Sequence, residues 1–570
     1  MLLGRSTFEY VLVKAVIYFF SYLGLVCLAY FYLVLSIGGV RLIAHPVSIA
    51  IEVLGAIEIL FYLFWFLPYC SYLRKKKALF PPPLNREHRQ DLFDRSLAVT
   101  SDIELYVKKW MCGANLEDLR RENVKEWLLW ALFDREGPPG EDDEELEGYV
   151  ETVEETLGRN IRPGWGPVSC VRLNFRKFSV SHRSLTYYMV ILLFQTTGRL
   201  LTSSQMIGTI DFFSSMILLA SGFSFYRQPR VKFLKTFPLR PLTLFAPKQS
   251  ASPNFSYFYR PHKSTTHRPI VFVHGLGIGL AIYIPFFLML PKDIGILAIE
   301  VLPISSRITE AGLLPADQVR EIGDIITQQN IESFVFIGNS YGTFFTKLFL
   351  ENPFLASRMA RIVLMDPVAI LLHIPDLAYN ATSRAPVHPN EIEIAWAAMT
   401  EPDIAFTLAK RFCWRSHILW QEDLLRVPTT IVIGSDDCLV NAEAIAAYIT
   451  KGAPQPDPAS VESKPDLQWS WADRKSWERN EWSGEGLELY WLEGYDHGQG
   501  IFSSRVLRNI VKLVERYCAR DTDEADVPPE KELPQPPGDA DVEGFELVSI
   551  LKGKEAEVNT RRDSGNSQSI

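Results

Sequence analysis

The chain is expected to fold as an α/β protein with a mostly parallel sheet flanked by helices, and three features of its 570 residues predict this. From Pro269 onward, short β-rich runs alternate with helix-like stretches, the order that parallel strands and crossover helices require. Ser340, Asp437 and His497 each stand in a Gly-containing loop just after such a run. Apolar residues make up 47% of the chain and aromatics 12%, enough to bury a large core, and the length leaves room for two or three units.

The first element is an apolar anchor. Ala15 to Val40 is an uncharged stretch of 26 residues, longer than the core of a secretory signal and long enough to cross a bilayer as a helix. No small-residue cleavage site is evident. Val47 to Leu73 is also strongly apolar but contains Glu52 and Glu58. A carboxylate at the bilayer centre costs roughly 2.5 to 3.5 kcal/mol, so these two are expected near a head-group boundary, against the first helix, or protonated. Arg74-Lys75-Lys76-Lys77 follows at once, whereas the loop between the segments carries Arg41. That asymmetry puts the N-terminus and everything after Lys77 on the cytosolic side. Residues 1–77 thus read as a two-helix anchor of an intracellular, ER-like membrane. Seven scattered cysteines without CxxC or Cys/His spacing fit a reducing compartment and offer no metal site. Two N-x-S/T triplets, at Asn254 and Asn380, are short enough to arise by chance. A net charge of −9 argues against nucleic acid as a partner.

Pro81-Pro82-Pro83 forms a stiff linker into a helical accessory region, residues 78–180. Leu116, Leu119, Val124, Trp127, Leu128, Ala131 and Leu132 recur at helical spacing, as do Leu146, Tyr149, Val150, Val153 and Leu157. Ser101-x-x-Glu104 has the form of a capping box, and the acidic run Glu141–Glu147 that of a solvated helix start. Residues 181–235 are ambiguous: Leu185 to Phe225 is mostly apolar but broken by Arg199 and Asp211, with Arg227, Arg230, Lys232 and Lys235 behind it. One span would strand those cations on the wrong side, so an interfacial or lid role is expected. The catalytic unit is drawn over 236–520, with strands at Ile270–Val273, Ile294–Glu300, Phe334–Ile337, Arg361–Met365, Thr429–Ile433 and Leu487–Leu492. Trp469, Trp471, Trp477 and Trp482 fit a membrane interface or a satellite packing cluster equally well. The Asp/Glu/Pro-rich residues 521–570 are expected to be disordered.

Four loops carry chemistry. Gly338-Asn339-Ser340-Tyr341-Gly342 turns from strand to helix, which exposes a serine hydroxyl and needs small residues where backbone crowds backbone. The helix N-terminus behind it favours developing negative charge. His274-Gly275-Leu276-Gly277-Ile278-Gly279 follows the first run, and its glycines let a backbone N–H approach an oxygen turning anionic. The amides of Leu276 (or Gly277) and Tyr341 are the expected oxyanion donors, and His274 is expected to shape the loop. No Walker lysine follows and the dinucleotide spacing fails, so a phosphate loop is disfavoured. Gly434-Ser435-Asp436-Asp437 closes another run, and a carboxylate there can orient a histidine. Asp437 is the first choice, with Asp366 and Asp436 as alternatives. His497, in Gly494-Tyr495-Asp496-His497-Gly498, completes the order Ser, Asp, His.

With HGxG, GxSxG, GxxDxxV and a C-terminal histidine loop in place, Pro269 to about Cys518 resembles the α/β-hydrolase superfamily. The whole chain resembles membrane-anchored fungal α/β-hydrolases with an N-terminal helical extension. The resemblance implies the α/β-hydrolase fold with a cap insertion, and cleavage of an ester, thioester or amide through an acyl-serine. It implies no metal and no organic cofactor. The 60 or so residues between Pro367 and Arg426 are where a cap is commonly inserted, and Val368–Leu372, Ile394–Met399 and Phe406–Leu408 fit the lining of an acyl pocket and plain packing equally well. Membrane lipids and a hydrophobic acyl ester are the partners expected of a tethered enzyme of this kind. An acyltransferase with the same triad, and a non-catalytic membrane scaffold on the same fold, are the rivals.

Overall fold

A computed structural model describes residues 5–193, 211–450 and 486–520. The four tryptophans between 469 and 482, the middle of the 185–225 stretch and residues 521–570 lie outside the described residues.

Among the described residues nine strands form one sheet: β1 (Ser224–Arg227), β2 (Lys248–Gln249), β3 (Ser256–Arg260), β4 (Ile270–Val273), β5 (Ile296–Glu300), β6 (Phe334–Asn339), β7 (Met359–Met365), β8 (Thr429–Gly434) and β9 (Leu487–Leu492). Their spatial order is β2-β1-β3-β5-β4-β6-β7-β8-β9. Strands β4 to β9 pair in parallel, while β3 is antiparallel to β5 and to β1. The parallel strands are the runs expected from the sequence, with shifted ends. β5 starts at Ile296 rather than Ile294 because the Gly295 amide donates to His262 Nδ1 and that of Ile294 closes a turn on Pro291.

The antiparallel edge was not expected. Phe225, placed by the sequence in an interfacial or lid segment, lies in β1, so the sheet begins at Ser224, ahead of the boundary drawn at 236. Arg227 and Arg260 end β1 and β3, and both are buried. Arg227 Nε donates to the Ala246 carbonyl, and Arg260 donates to the carbonyls of Ile294, Phe287 and Pro291. Carbonyl partners make such burial tolerable.

Helices α1 (Thr7–Ile43), α2 (Pro46–Phe61) and α3 (Leu67–Lys75) form the N-terminal hairpin, with a π-helical turn at Tyr62–Phe66 joining the last two. By length and composition the two arms are apolar enough to cross a membrane. Gly55 lets the arms approach: a β-carbon there would lie 2.5 Å from Cys27 Cβ. Helices α4 (Arg86–Ala98), α5 (Ile103–Trp110), α6 (Arg121–Phe133) and α7 (Asp143–Leu157) make up the accessory region. The cap of α5 is Asp102, which accepts from the Leu105 amide, one residue after the Ser101 box expected. Trp110, Trp127 and Trp130 cluster with ring centroids 5.8 and 5.4 Å apart, in the same core as Val271 and Phe336 of the sheet. The accessory helices therefore cover one face of the sheet. The helix Ser504–Cys518 packs its Val506, Ile510 and Val514 on the other face. Helices α8 (Leu185–Leu193) and α9 (Asp211–Ala220) flank the segment left undescribed.

Candidate active site

Strand β4 lies between β5 and β6, so the chain leaves it in opposite directions on its two sides, and the crevice at its C-terminal end is where ligands sit in such sheets. Val273 of β4 is in register with Gly338 of β6, which places the His274–Gly279 loop beside the turn that carries Ser340. Ser340 itself has φ of +49°, a left-handed conformation that a non-glycine residue adopts only when its surroundings impose it. They do so through close backbone contact. A β-carbon at Gly342 would lie 2.2 Å from the Val273 carbonyl oxygen, and one at Gly338 would lie 2.8 Å from the Gly342 oxygen. A β-carbon at Gly275 would lie 3.0 Å from that of Ser340.

Ser340 Oγ stands 2.8 Å from His497 Nε2, and His497 Nδ1 stands 2.8 Å from Asp437 Oδ2. The other Asp437 oxygen accepts the amides of Leu439 and Val440, and its side chain is fully buried. The strand ends thus bring the three expected side chains into one hydrogen-bonded line. Asp436 takes another direction and pairs with Arg5 at 3.1 Å. Asp366, after β7, is buried with one oxygen 3.4 Å from Asn339 Nδ2. Burial, with Asp437 nearby, pushes its carboxyl up to about 7. For His497, burial acts downward, but the Asp437 carboxylate bonded to it outweighs this and raises the imidazole to about 9.

Leu276 and Tyr341 border the same cavity as Ser340. Among the described residues the Leu276 amide has no acceptor, and Tyr341 lies in the first turn of a helix, where N–H groups have no intrahelical partner. Gly277, the alternative donor, is committed to the Ile304 carbonyl at 3.1 Å. His274 is fully buried: its Nε2 accepts the Val301 amide at 3.0 Å, which leaves the proton on Nδ1 to donate to the Gly275 carbonyl at 2.7 Å. Both of its ring nitrogens are thus committed to backbone partners.

Two positioning groups were not anticipated. Tyr283 accepts the Gly275 amide at 3.1 Å and donates to Asn339 Oδ1 at 2.6 Å, tying the glycine loop to the serine turn. Asp496 accepts the amides of Cys438 and His497, tying the acid loop to the histidine loop. Asn339 and Asp496 each adjoin a triad residue, which was the available signal; Tyr283 had none.

The cavity holds about 460 Å³ and is walled by the cap, including Val368, Ile394, Met399 and Leu408. One wall comes from outside the cap: Val171 to Ser179, the end of the accessory region. Among the described residues no group of His, Cys, Asp and Glu could hold a metal ion.

No family model matches the chain, and no curated protein does. Among solved structures it is similar to a serine hydrolase from the hydrocarbon-degrading bacterium Cycloclasticus zankles (14% identity, 46% of this chain, 95% of that one, TM-score 0.30). It is also similar to naproxen esterase of Bacillus subtilis (11% identity, 46% and 89% covered, TM-score 0.30). A third is a membrane phospholipase A described as a bacterial virulence factor (10% identity, 65% and 99% covered, TM-score 0.33). At such scores the fold is read from this chain's own strands. A sheet ordered in this way, reversing at β4 and carrying a serine-bearing turn after β6, makes the chain a protein of the α/β-hydrolase fold.

Proposed function

We propose that the protein is a membrane-anchored serine hydrolase that cleaves carboxylic esters of lipid-like acyl chains. The observation that carries this reading is the unbroken line from Ser340 Oγ through His497 to Asp437, each link 2.8 Å. His497 takes the Ser340 proton as Oγ attacks the acyl carbonyl, and the carbonyl oxygen turns anionic against the amides of Leu276 and Tyr341. His497 then returns the proton to the departing alcohol, leaving an acyl-serine. Water, deprotonated by the same imidazole, releases the acid and restores Ser340. Asp437 fixes the tautomer and offsets the imidazolium charge throughout.

The lipid preference is supported by the cavity's mostly aliphatic lining and by the anchor. Tyr22, Leu25, Val26, Tyr32 and Leu33 of α1 are 50% to 60% exposed, an apolar surface that suits hydrocarbon. Arg74 to Lys77, at the catalytic end of the hairpin, support a cytosolic catalytic domain.

A fluorophosphonate probe tests the chemistry. The expected result is covalent labelling of the full chain that disappears in Ser340→Ala. Failure of the folded wild-type protein to label overturns the reading.

A further inference from the structure

The proposed ester chemistry leaves one feature of the cavity unused. Arg176 and Lys177 stand side by side on its wall, and both are exposed. The Arg176 guanidinium touches the Cys112 sulfur at 3.2 Å, and among the described residues neither side chain meets a carboxylate. The third cation lining the cavity, Arg384, is neutralised by Glu391 at 2.9 Å and held by Asn380 at 3.1 Å. In a chain of net charge −9, an adjacent pair of unneutralised cations at an apolar cavity is a local reversal of sign. A neutral ester has no use for it.

The same segment runs from the cavity to the anchor. Ser181 donates its amide to the Thr400 carbonyl, and the His182 ring lies edge-on to Tyr62 and Phe66, with centroids 4.7 and 4.8 Å away. The Ser184 amide reaches the Phe20 carbonyl of α1. His182 lies five residue steps after Lys177, at most about 18 Å of extended chain, so the cations stay close to the hairpin. A second cavity wall, the helix Pro402–Lys410, ends where the Leu79 amide bonds the Lys410 carbonyl, just past the exposed Arg74 to Lys77. Positive charge therefore gathers where cavity and anchor meet.

We propose that the esters presented to Ser340 are anionic lipids drawn from the bilayer that holds α1 and α2, with the acyl chain in the apolar cavity and the anionic headgroup against Arg176 and Lys177. The inference rests on the hydrolase reading above and adds the substrate class. Headgroup charge and cation lie at a dielectric boundary, where their attraction is stronger than in bulk water and weakens with salt.

The test uses the full-length chain acting on vesicles of phosphatidylcholine alone or mixed equally with phosphatidylglycerol, with fatty-acid release read for each lipid. Wild-type protein is expected to favour phosphatidylglycerol, and R176Q/K177Q to lose that preference by on the order of tenfold. Circular dichroism and the thermal unfolding temperature in detergent are expected to match wild type, which shows that the variant is folded, and any fall on p-nitrophenyl butyrate, which carries no anionic headgroup, is expected to be much smaller than the fall on phosphatidylglycerol. The single variant K177Q, at an exposed position, is expected to give an intermediate loss. A preference that survives the double substitution, or an equal fall on p-nitrophenyl butyrate, overturns the assignment. So does a preference seen with monomeric short-chain phosphatidylglycerol but absent in vesicles, since the anion would then be read from solution. Labelling without any anionic preference removes this inference alone; no labelling of the wild type removes the hydrolase reading with it.

Discussion

His497 is subject to three carboxylates, from the loops after β7, β8 and β9: Asp366, Asp437 and Asp496. Burial disfavours the imidazolium, and Asp437 more than compensates, raising the group to about 9. A histidine serves as base only when neutral, so kcat/KM is expected to climb as pH rises through that value, with its acid limb above neutrality. Asp437→Asn removes the bonded anion. The imidazole then loses its proton at lower pH, the acid limb moves down, and the plateau falls by about 10,000-fold because the tautomer is no longer held. Asp366→Asn removes a charge that faces the ring without bonding it. The limb is expected to move the same way by less, with most of the plateau rate kept. Paired pH profiles of the two variants check this, and an equal loss of rate would make Asp366 the orienting acid. The choice between these two carboxylates was open in the sequence because both follow parallel strands; the 2.8 Å bond from His497 separates them.

Among the elements, the link between α2 and α8 depends on one side chain inside an apolar helix. Glu58 is 2% exposed, and its carboxylate accepts the amides of Leu185 and Thr186, both at 2.7 Å, together with the Thr186 hydroxyl. It caps α8 from another helix and meets the positive end of that helix's dipole. Glu58→Leu should lower stability by about 1 to 2 kcal/mol, the usual cost of a lost cap, read as a fall in thermal unfolding temperature in detergent. A variant as stable as wild type would show that the carboxylate is not holding the two helices together. That Glu58 needs a head-group boundary, the first helix or a proton was legible in the sequence, but its partner was not, because residues 58 and 185 share no periodicity. The same divide runs through the fold. Parallel strands such as Phe334–Asn339 announce themselves as apolar runs between glycine loops. Strand β1 does not, because Arg227 stands in the sequence as one of four cations behind an apolar stretch, and only the Ala246 carbonyl that receives it accounts for its burial. The cavity wall at Val171 to Ser179 is a tertiary fact: nothing in that segment's composition says that it passes Ser340.

At the scale of the whole molecule, the hairpin leaves the catalytic body and returns to it. Arg5, just before α1, pairs with Asp436 beside Asp437, and the chain after α3 is bonded to Lys410 through Leu79. Phe20 and Ser21 are still against the body, through the Ser184 amide and the His182 carbonyl. From Tyr22 to the kink at Gly39, where φ is +53°, α1 runs 18 residues, about 27 Å at helical rise, close to the roughly 30 Å of a hydrocarbon core. Over that stretch α1 pairs with α2: a β-carbon at Gly24 would meet that of Glu58 at 3.2 Å, and the Tyr30 hydroxyl reaches Ser48 at 3.3 Å. On the proposed anchoring, two antiparallel crossings would put the turn at Ala44 and His45 across the bilayer from Ser340. In sealed vesicles with the catalytic domain outside, a membrane-impermeant maleimide should therefore leave Ala44→Cys unmodified until the vesicles are opened, with the wild-type chain as the blank. Modification in sealed vesicles would mean that the hairpin dips into one leaflet and comes back. The cap, which packs on α1 through Ile392 against Val13 and Trp396 against Phe20, would then ride deeper in the interface than two full crossings allow.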